Sequence, residues 1–343
     1  MSLRDTLDML LDHRSLDAVD AQSLLLALTS PDVPPAQAGA LLAALRAKGV
    51  TADELRGFAL GMRSLARKPV IDAAVAQQSV DIVGTGGDKS GSYNLSTGAS
   101  LLAAAAGLSV VKHGNRSVSS RAGSADVLEA LGLPLPLDEQ RAGQCLQRMG
   151  FTFLFAPHYH PAMKAIAPVR AAMGVRTVFN ILGPLTNPAA PGFHVIGAYS
   201  EPVARLMAEA LTGLPLQRAF VIHGAAGWDE PTPLGPFLLL DVQGGKVTEH
   251  QRDPADYGLA RCTEESLMGD DAAFNAAAMH RVLRGAEQGA HRDALVLGAA
   301  LALEVTGHAA HPLAAAALAA TAIDDGRALA LLERLAAFGK ELA

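Results

Sequence analysis

Two cysteines in 343 residues, Cys145 and Cys262, are too few and too far apart for a disulfide framework or a thiolate metal site. Aromatic residues are scarce at 4%, with a single tryptophan, so aliphatic side chains and abundant alanine must close the core. Charged residues make up only 18% against 50% hydrophobic, a balance that excludes wholesale disorder. The net charge of −6 lacks the positive excess of a protein that lives on nucleic acid or an anionic bilayer. Apolar runs are short: Leu101–Val111 and Leu313–Ile323 are not long enough to span a membrane. Met1-Ser2-Leu3-Arg4-Asp5 carries charges where a signal peptide places its apolar core. A cytoplasmic protein is expected, with neither nucleic acid nor membrane as a partner.

The chain is long enough for one large domain or two unequal ones. Its first seventy or so residues read as helices only. Leu3, Leu7, Leu10 and Leu11 recur at helical spacing. Pro34-Pro35 opens a helix over Ala36–Lys48 that Gly49 stops, and Thr51-Ala52-Asp53-Glu54 matches a capping box. From Ser79 strands and helices alternate: strands Val80–Val83, Ser109–Lys112, Phe151–Phe155, His194–Tyr199 and Ala219–His223, with helices Thr97–Leu108, Asp138–Met149 and Glu201–Leu211 between them. That order predicts βαβ units and a largely parallel sheet. Gly244-Gly245 between Pro236–Val242 and Lys246–His250 predicts a hairpin, and the last seventy or so residues return to helices. The fold class is therefore α/β with a small all-helical N-terminal domain.

Three glycines stand in the four residues Gly84-Thr85-Gly86-Gly87, followed by Asp88 and, at a helix start, Asn94-Leu95-Ser96-Thr97. Glycines let backbone N–H groups approach an anion, and the helix start adds unpaired donors. The spacing matches neither the Gly-Lys-Ser/Thr triphosphate loop nor the G-x-G-x-x-G dinucleotide turn. One strand later, Lys112-His113-Gly114-Asn115-Arg116 brings two cations to an equivalent strand end, with Ser117, Ser119, Ser120 and Ser124 as hydroxyl donors. Ser124 also suits a cap for a helix over Ala125–Leu131. Trp228-Asp229-Glu230 beyond a later strand suits either an exposed acidic turn or a site for a hard cation such as Mg²⁺. His158 and His160 have no supporting ligands and are not read as a metal site, and Arg170 and Arg176 flank Met173-Gly174. No serine-histidine-acid arrangement supports a protein nucleophile.

These segments, in this order, resemble the anthranilate phosphoribosyltransferase family. The likeness rests on Gly84-Thr85-Gly86-Gly87-Asp88, Asn94-x-Ser96-Thr97 and Lys112-His113-Gly114-Asn115-Arg116-Ser117-Val118-Ser119-Ser120. His160-Pro161-Ala162-Met163, Arg170 and Arg176-Thr177-x-Phe179-Asn180-x-Leu182-Gly183-Pro184-Leu185-x-Asn187-Pro188 extend it. It covers nearly the whole chain. The resemblance implies a helical domain of residues 1–72, completed by about 161–186, and an α/β domain of residues 73–160 and 187–343, with the site in the cleft between them. It implies transfer of the phosphoribosyl group from 5-phosphoribosyl-1-diphosphate to the amine of anthranilate in tryptophan biosynthesis.

By position, Gly84, Gly87, Asp88, Ser92, Asn94, Leu95, Ser96, Thr97, Lys112, His113, Gly114, Asn115, Arg116, Ser117, Val118, Ser119, Ser120 and Ser124 match the residues that hold the donor. Gly84, Asn115 and Arg170 match those that contact anthranilate, with Arg170 toward its carboxylate and His113 and His160 along its approach path. Ser96, Asp229 and Glu230 match the ligands of a pair of Mg²⁺ ions, and a homodimer through the helical domain is implied. No protein group is expected to act as a catalytic acid, base or nucleophile. One departure stands out: where the family commonly has Asp-Gly-Leu-Asp-Glu, this chain has Ala226-Gly227-Trp228-Asp229-Glu230, followed by Pro231-Thr232-Pro233. Pyrimidine nucleoside phosphorylases share the fold and a Lys-His-Gly-Asn-Arg-like loop, but the Gly-Thr-Gly-Gly-Asp loop, Arg170 and the acidic pair argue against them. Nucleic-acid-binding relatives of the fold would need a basic stripe that this composition lacks.

Overall fold

Local capping chemistry sets the helices at the N-terminus. The computed structural model describes residues 1–88, 90–116 and 121–342. Helices Leu3–Leu11, Ala18–Leu28, Pro35–Lys48 and Ala52–Leu65 pack together there. Pro35 occupies the first turn of its helix, and Gly49, with φ of 91°, ends it. The Thr51 hydroxyl accepts from the Glu54 N–H at 3.3 Å while the Glu54 carboxylate accepts from the Thr51 N–H at 2.8 Å, a reciprocal cap worth about 1 kcal/mol. The same carboxylate, fully buried, accepts from the Leu16 N–H and from Lys48 Nζ, each at 3.0 Å. One acidic residue thus caps its own helix and ties in two other parts of the bundle.

A later stretch returns to this bundle. Helix Met163–Met173 and the turns Phe179–Leu182 and Gly183–Leu185 bury Ile166, Val169, Phe179 and Leu182 in the same cluster as Leu24, Leu41 and Phe58. The rings of Phe58 and Phe179 meet edge-on at 5.9 Å. Periodicity alone misses this helix, because Pro168 sits inside it. Proline lacks the N–H that an α-helix uses and normally marks a break.

Seven strands among the described residues form one sheet: β1 (Val80–Gly84), β2 (Val110–Gly114), β3 (Phe151–Phe155), β4 (Phe193–Gly197), β5 (Arg218–His223), β6 (Phe237–Gln243) and β7 (Lys246–Arg252). Their order is β3-β2-β1-β4-β5-β6-β7, parallel from β3 to β5 and antiparallel through β6 and β7. Gly244 and Gly245, with φ of 57° and 72°, make the two-residue turn between β6 and β7. Along β5 the side chains alternate between two cores. Phe220 and Ile222 join the cluster beneath the C-terminal helices, and Ala219 and Val221 join the cluster that runs into the helical bundle. The strands leave β1 in both directions, to β2 and β3 on one side and to β4 and β5 on the other. The β1/β4 boundary is therefore the switch point of the parallel sheet, where the ends of adjacent strands open a crevice.

Candidate active site

The glycine loop leaves β1 at this switch point. Its far side is formed by helix Leu95–Ala105, and the acidic loop after β5 lies across both. The crevice between them is lined by Ile82, Ser96, Gly197, Asp229, Glu230 and Pro231. A larger groove of about 830 Å³ opens along β7 and His311-Pro312-Leu313, but none of its lining residues belongs to the motif set. Size here is a poorer guide than the convergence of donors and acids.

The contacts across the crevice are specific. One Asp229 carboxylate oxygen accepts from the Gly86 N–H at 2.5 Å and from the Thr85 hydroxyl at 3.4 Å. The Asp229 N–H donates to the Asp88 carboxylate at 3.3 Å, and the Ser90 N–H and hydroxyl donate to the other Asp88 oxygen, each at 3.1 Å. Glu230 accepts from the Ser96 N–H, in the first turn of its helix, at 2.9 Å and from the Ser92 hydroxyl at 3.4 Å. Donors aimed at anions and two adjacent carboxylates thus share one crevice. Approach this close requires glycine at two strand ends. A Cβ on Gly84 would meet the Asp229 carboxylate at 2.5 Å, and one on Gly197 would lie 1.4 Å from the Asp229 carbonyl oxygen.

Burial and proximity shift these acids together. Asp229 is raised well above the usual carboxylate range, by burial first and then by Glu230 and Asp88. Burial likewise lifts Glu230 to about 7, against the pull of the Ser96 N–H. Two oxygen ligands that repel each other in a partly desolvated crevice, with hydroxyls beside them, are a donor set suited to a hard divalent cation. Among the described residues no group of three His, Cys, Asp or Glu side chains gathers for a metal ion. Further ligands would then be oxygens of a bound substrate.

The second motif is more dispersed than its spacing suggests. Lys112 is buried beneath the crevice, where its ammonium donates to the Ile82 carbonyl at 2.5 Å, and burial lowers it to about 8 against the attraction of Asp81. Asp81 is itself raised to about 6 by burial, and accepts from the His113 N–H at 3.1 Å and from the Asn187 amide at 2.8 Å. Asn115 and Arg116 are exposed. The Arg116 guanidinium is engaged by Asp126 at 2.7 Å and Glu129 at 2.6 Å. Ser117, Val118, Ser119 and Ser120 lie outside the described residues. Ser124 begins its helix, but Gly123 is the cap residue, and the Asp126 carboxylate reaches back to the Gly123 N–H at 2.9 Å. The expected serine cap is corrected accordingly. A Cβ on Gly114 would approach Ser124 Cβ at 3.6 Å. Leu95 and Thr97 are buried, the Thr97 hydroxyl without a partner.

His113 and His160 meet ring to ring at 5.0 Å. Burial holds both below the ordinary histidine value, His160 at about 4, so both rings are neutral at pH 7. Arg170 lies half-buried near the end of helix Met163–Met173 with its guanidinium 5.1 Å from the Phe179 ring centroid. No carboxylate among the described residues pairs with it, and burial lowers its pKa. A stacked, partly desolvated guanidinium without a counter-ion suits a carboxylate ligand.

Three supporting residues were given no role by sequence reasoning, although Asn187 lies in the extended motif. Gly197 carried a usable signal, a glycine at the end of a β-strand. Asn275 is buried and donates to the Asn94 side chain at 2.8 Å, fixing a residue of the donor motif from 181 positions away. Asn187, buried as well, bridges Asp81 and the Val111 carbonyl, both at 2.8 Å. Nothing in spacing or composition marks the partners of these two asparagines.

Comparison with known proteins agrees with this geometry. Residues 4–66 match the helical bundle domain of the glycosyl transferase family, and residues 76–329 match its a/b domain. The anthranilate phosphoribosyltransferase of Rubrobacter xylanophilus is 43% identical over 99% of this chain and 98% of its own length. That of Solibacter usitatus is 44% identical over 98% and 99% respectively. The crystal structure of the Thermus thermophilus anthranilate phosphoribosyltransferase superposes with a TM-score of 0.91 at 42% identity, covering 98% of this chain and 99% of that one. The Saccharomyces cerevisiae enzyme, solved with PRPP and Mg, has the same fold at 24% identity, with a TM-score of 0.90 over 99% of this chain and 98% of that one. With the switch-point crevice, the acidic loop across it and relatives matched end to end, this chain belongs to the anthranilate phosphoribosyltransferase family.

Proposed function

We propose that this protein transfers the phosphoribosyl group of 5-phosphoribosyl-1-diphosphate to the amine of anthranilate, releasing diphosphate, as a step of tryptophan biosynthesis. The observation that carries the reading is the meeting of the acidic pair with the Gly86 and Ser96 N–H groups at the β1/β4 crevice. Anion donors and cation ligands within one hydrogen bond of each other fit a metal-bound diphosphate better than a free phosphate or a nucleoside.

In this reading the loop of Gly84, Gly87 and Asp88 and the helix start of Asn94–Thr97 hold the donor, aided by Ser92 and the Lys112–Ser124 region. Arg170 takes the anthranilate carboxylate, with Gly84 and Asn115 beside the ring. Asp229, Glu230 and Ser96 would hold two Mg²⁺ ions, which when bound supply charge to screen the departing diphosphate. The aromatic amine is neutral at pH 7, so no protein base need activate it. Its nitrogen lone pair attacks C1 as the C1–O bond to diphosphate breaks, and the surplus proton leaves the nitrogen afterwards. The chain's own work is to align the amine with C1 and to aim N–H dipoles at the leaving group. The neutral His113 and His160 rings leave the acceptor path without a competing charge.

The division into residues 1–72 with 161–186 and residues 73–160 with 187–343 fits the packing of Ile166–Leu185 onto the bundle, where Phe179 meets Phe58 edge-on at 5.9 Å, in a cluster that continues into β4 and β5. The bundle also presents Leu11, Val19 and Leu26 to solvent, at 61%, 71% and 40% exposure, which supports a homodimer through this domain. Both cysteines are free thiols, and no helix among the described residues is long and apolar enough to cross a membrane. We take the cytoplasm as its compartment.

The test is loss of anthranilate fluorescence with the purified protein, with and without donor and Mg²⁺, beside thymidine phosphorolysis. Consumption that requires both donor and Mg²⁺, and that collapses in Asp229→Asn, is expected. Thymidine cleavage without anthranilate consumption would overturn the assignment.

A further inference from the structure

Arg176 belongs to the sequence motif yet has no part in the donor, acceptor or metal sets above. Gly174 ends helix Met163–Met173 in the left-handed region, φ 62° and ψ 14°, and the chain turns back toward the glycine loop. The Arg176 guanidinium then stacks on Tyr199, 4.2 Å from the ring centroid, and its Nη2 donates to the carbonyl oxygen of Gly87. Its own carbonyl accepts from Arg46 Nη1 at 2.8 Å. Arg176 is therefore tied through its backbone to helix Pro35–Lys48 of the bundle and through its side chain to the glycine loop. A Cβ on Gly87 would sit 2.9 Å from Nη2, and Gly87 has φ of 79°, so the loop residue is glycine for both approach and conformation.

The peptide unit is planar and trans, so a carbonyl and the following N–H point in opposite directions. Holding the Gly87 carbonyl fixes the Asp88 N–H as well. It also steadies the loop in which Gly86 and Asp88 meet Asp229. No carboxylate among the described residues pairs with Arg176, so it remains a net cation beside a crevice built for anions. The stack on Tyr199 uses the flat guanidinium and is poorly reproduced by an ammonium.

We propose that Arg176 is a positioning residue for the phosphoribosyl donor, a latch by which the bundle holds the glycine loop in register. The proposal rests on the transferase reading above. Arg170 lies on the same segment, one helix end away, so the segment that takes the acceptor carboxylate also sets the donor loop.

Arg176→Met, Arg176→Lys and Tyr199→Phe separate the latch from a purely structural role. Loss of a charge-assisted hydrogen bond should raise the donor KM about tenfold in Arg176→Met. The anthranilate KM at saturating donor, kcat and the melting temperature should stay near wild type, since the side chain is exposed. Arg176→Lys should recover part of the loss, and Tyr199→Phe, which keeps the ring, should match wild type. A donor KM unchanged in Arg176→Met, or donor and anthranilate KM rising equally, would overturn the latch. Calorimetric titration of 5-phosphoribosyl-1-diphosphate with Mg²⁺ reads the same effect without turnover. About tenfold weaker binding is expected, and equal affinity refutes the latch. If the wild-type protein binds donor but consumes no anthranilate, the transferase reading fails while the titration still decides the role of Arg176.

Discussion

Gly197→Ala is the sharpest perturbation of the acidic loop, because the clash is with backbone and not with a movable side chain. The added Cβ would lie 1.4 Å from the Asp229 carbonyl oxygen, and ordinary contact begins near 3.4 Å, so the two must separate by about 2 Å. The strand end is poorly placed to give way. Its carbonyl accepts from the Thr85 N–H at 2.9 Å, and the next residue donates to Ile222 at 2.8 Å. The loop yields instead and carries Asp229 off the Gly86 N–H. Overpacking of this kind costs about 1–3 kcal/mol of stability. A displacement of even ~1 Å in a positioned group costs about 100-fold in rate. Gly84→Ala is the internal control. Its clash, 2.5 Å, is with the end of the Asp229 side chain, which can rotate away, so it should leave the melting temperature closer to wild type. Mg²⁺ titrations of the anthranilate fluorescence assay, paired with thermal melting, read both effects. A folded Gly197→Ala enzyme with wild-type activity and Mg²⁺ response would refute the claim that β4 sets the position of the acidic loop.

Three further outcomes follow from the same geometry. Arg170→Ala should raise the anthranilate KM at least about tenfold, as loss of a charge-assisted pair requires, with a much smaller change in the donor KM; equal effects in steady-state assays would reject its role as the carboxylate partner. Ala226 sits in the left-handed region at φ 57° and ψ 14°, which costs an L-residue about 1–2 kcal/mol, so Ala226→Gly should raise the melting temperature and a lowered value would show the strain is not there. The Glu230 carboxyl, raised to about 7 from 4.5, contributes stability that is full below pH 4.5 and lost as pH rises through 7. Glu230→Gln stays neutral, so its melting temperature in metal-free buffer should gain on wild type across that window and keep a constant lead above it, whereas a difference independent of pH would reject the raised value.

Much of this fold could be read from local chemistry. Thr51 and Glu54 announced a helix start, Gly244-Gly245 a hairpin, and Phe151–Phe155 a strand with the observed bounds, because each signal lies within a few residues of its cause. The bundle's return through Met163–Met173 was not legible in the pattern. Pro168 breaks the helical signal there, and the burial of Ile166 and Val169 is decided by residues more than a hundred positions earlier. Only the family resemblance supplied it.

The site divides along the same line. Glycines, hydroxyls and adjacent acids name the chemistry, but a motif cannot say which members face the crevice. Lys112 and Arg116 have the same charge and stand four positions apart in one motif, yet Lys112, within β2, is buried against the Ile82 carbonyl, and Arg116, two residues past its end, is held at the surface by Asp126 and Glu129. The difference is in direction: strand side chains alternate faces, and the residue after the strand follows the loop instead. The steric fit of Gly197 to Asp229 and the bond from Arg176 to Gly87 likewise join distant segments whose meeting depends on the order of the strands. Pairwise geometry of this kind is where mutation should discriminate most strongly, since changing one partner disturbs the contact that aligns the cradle while leaving the local signal of the other intact.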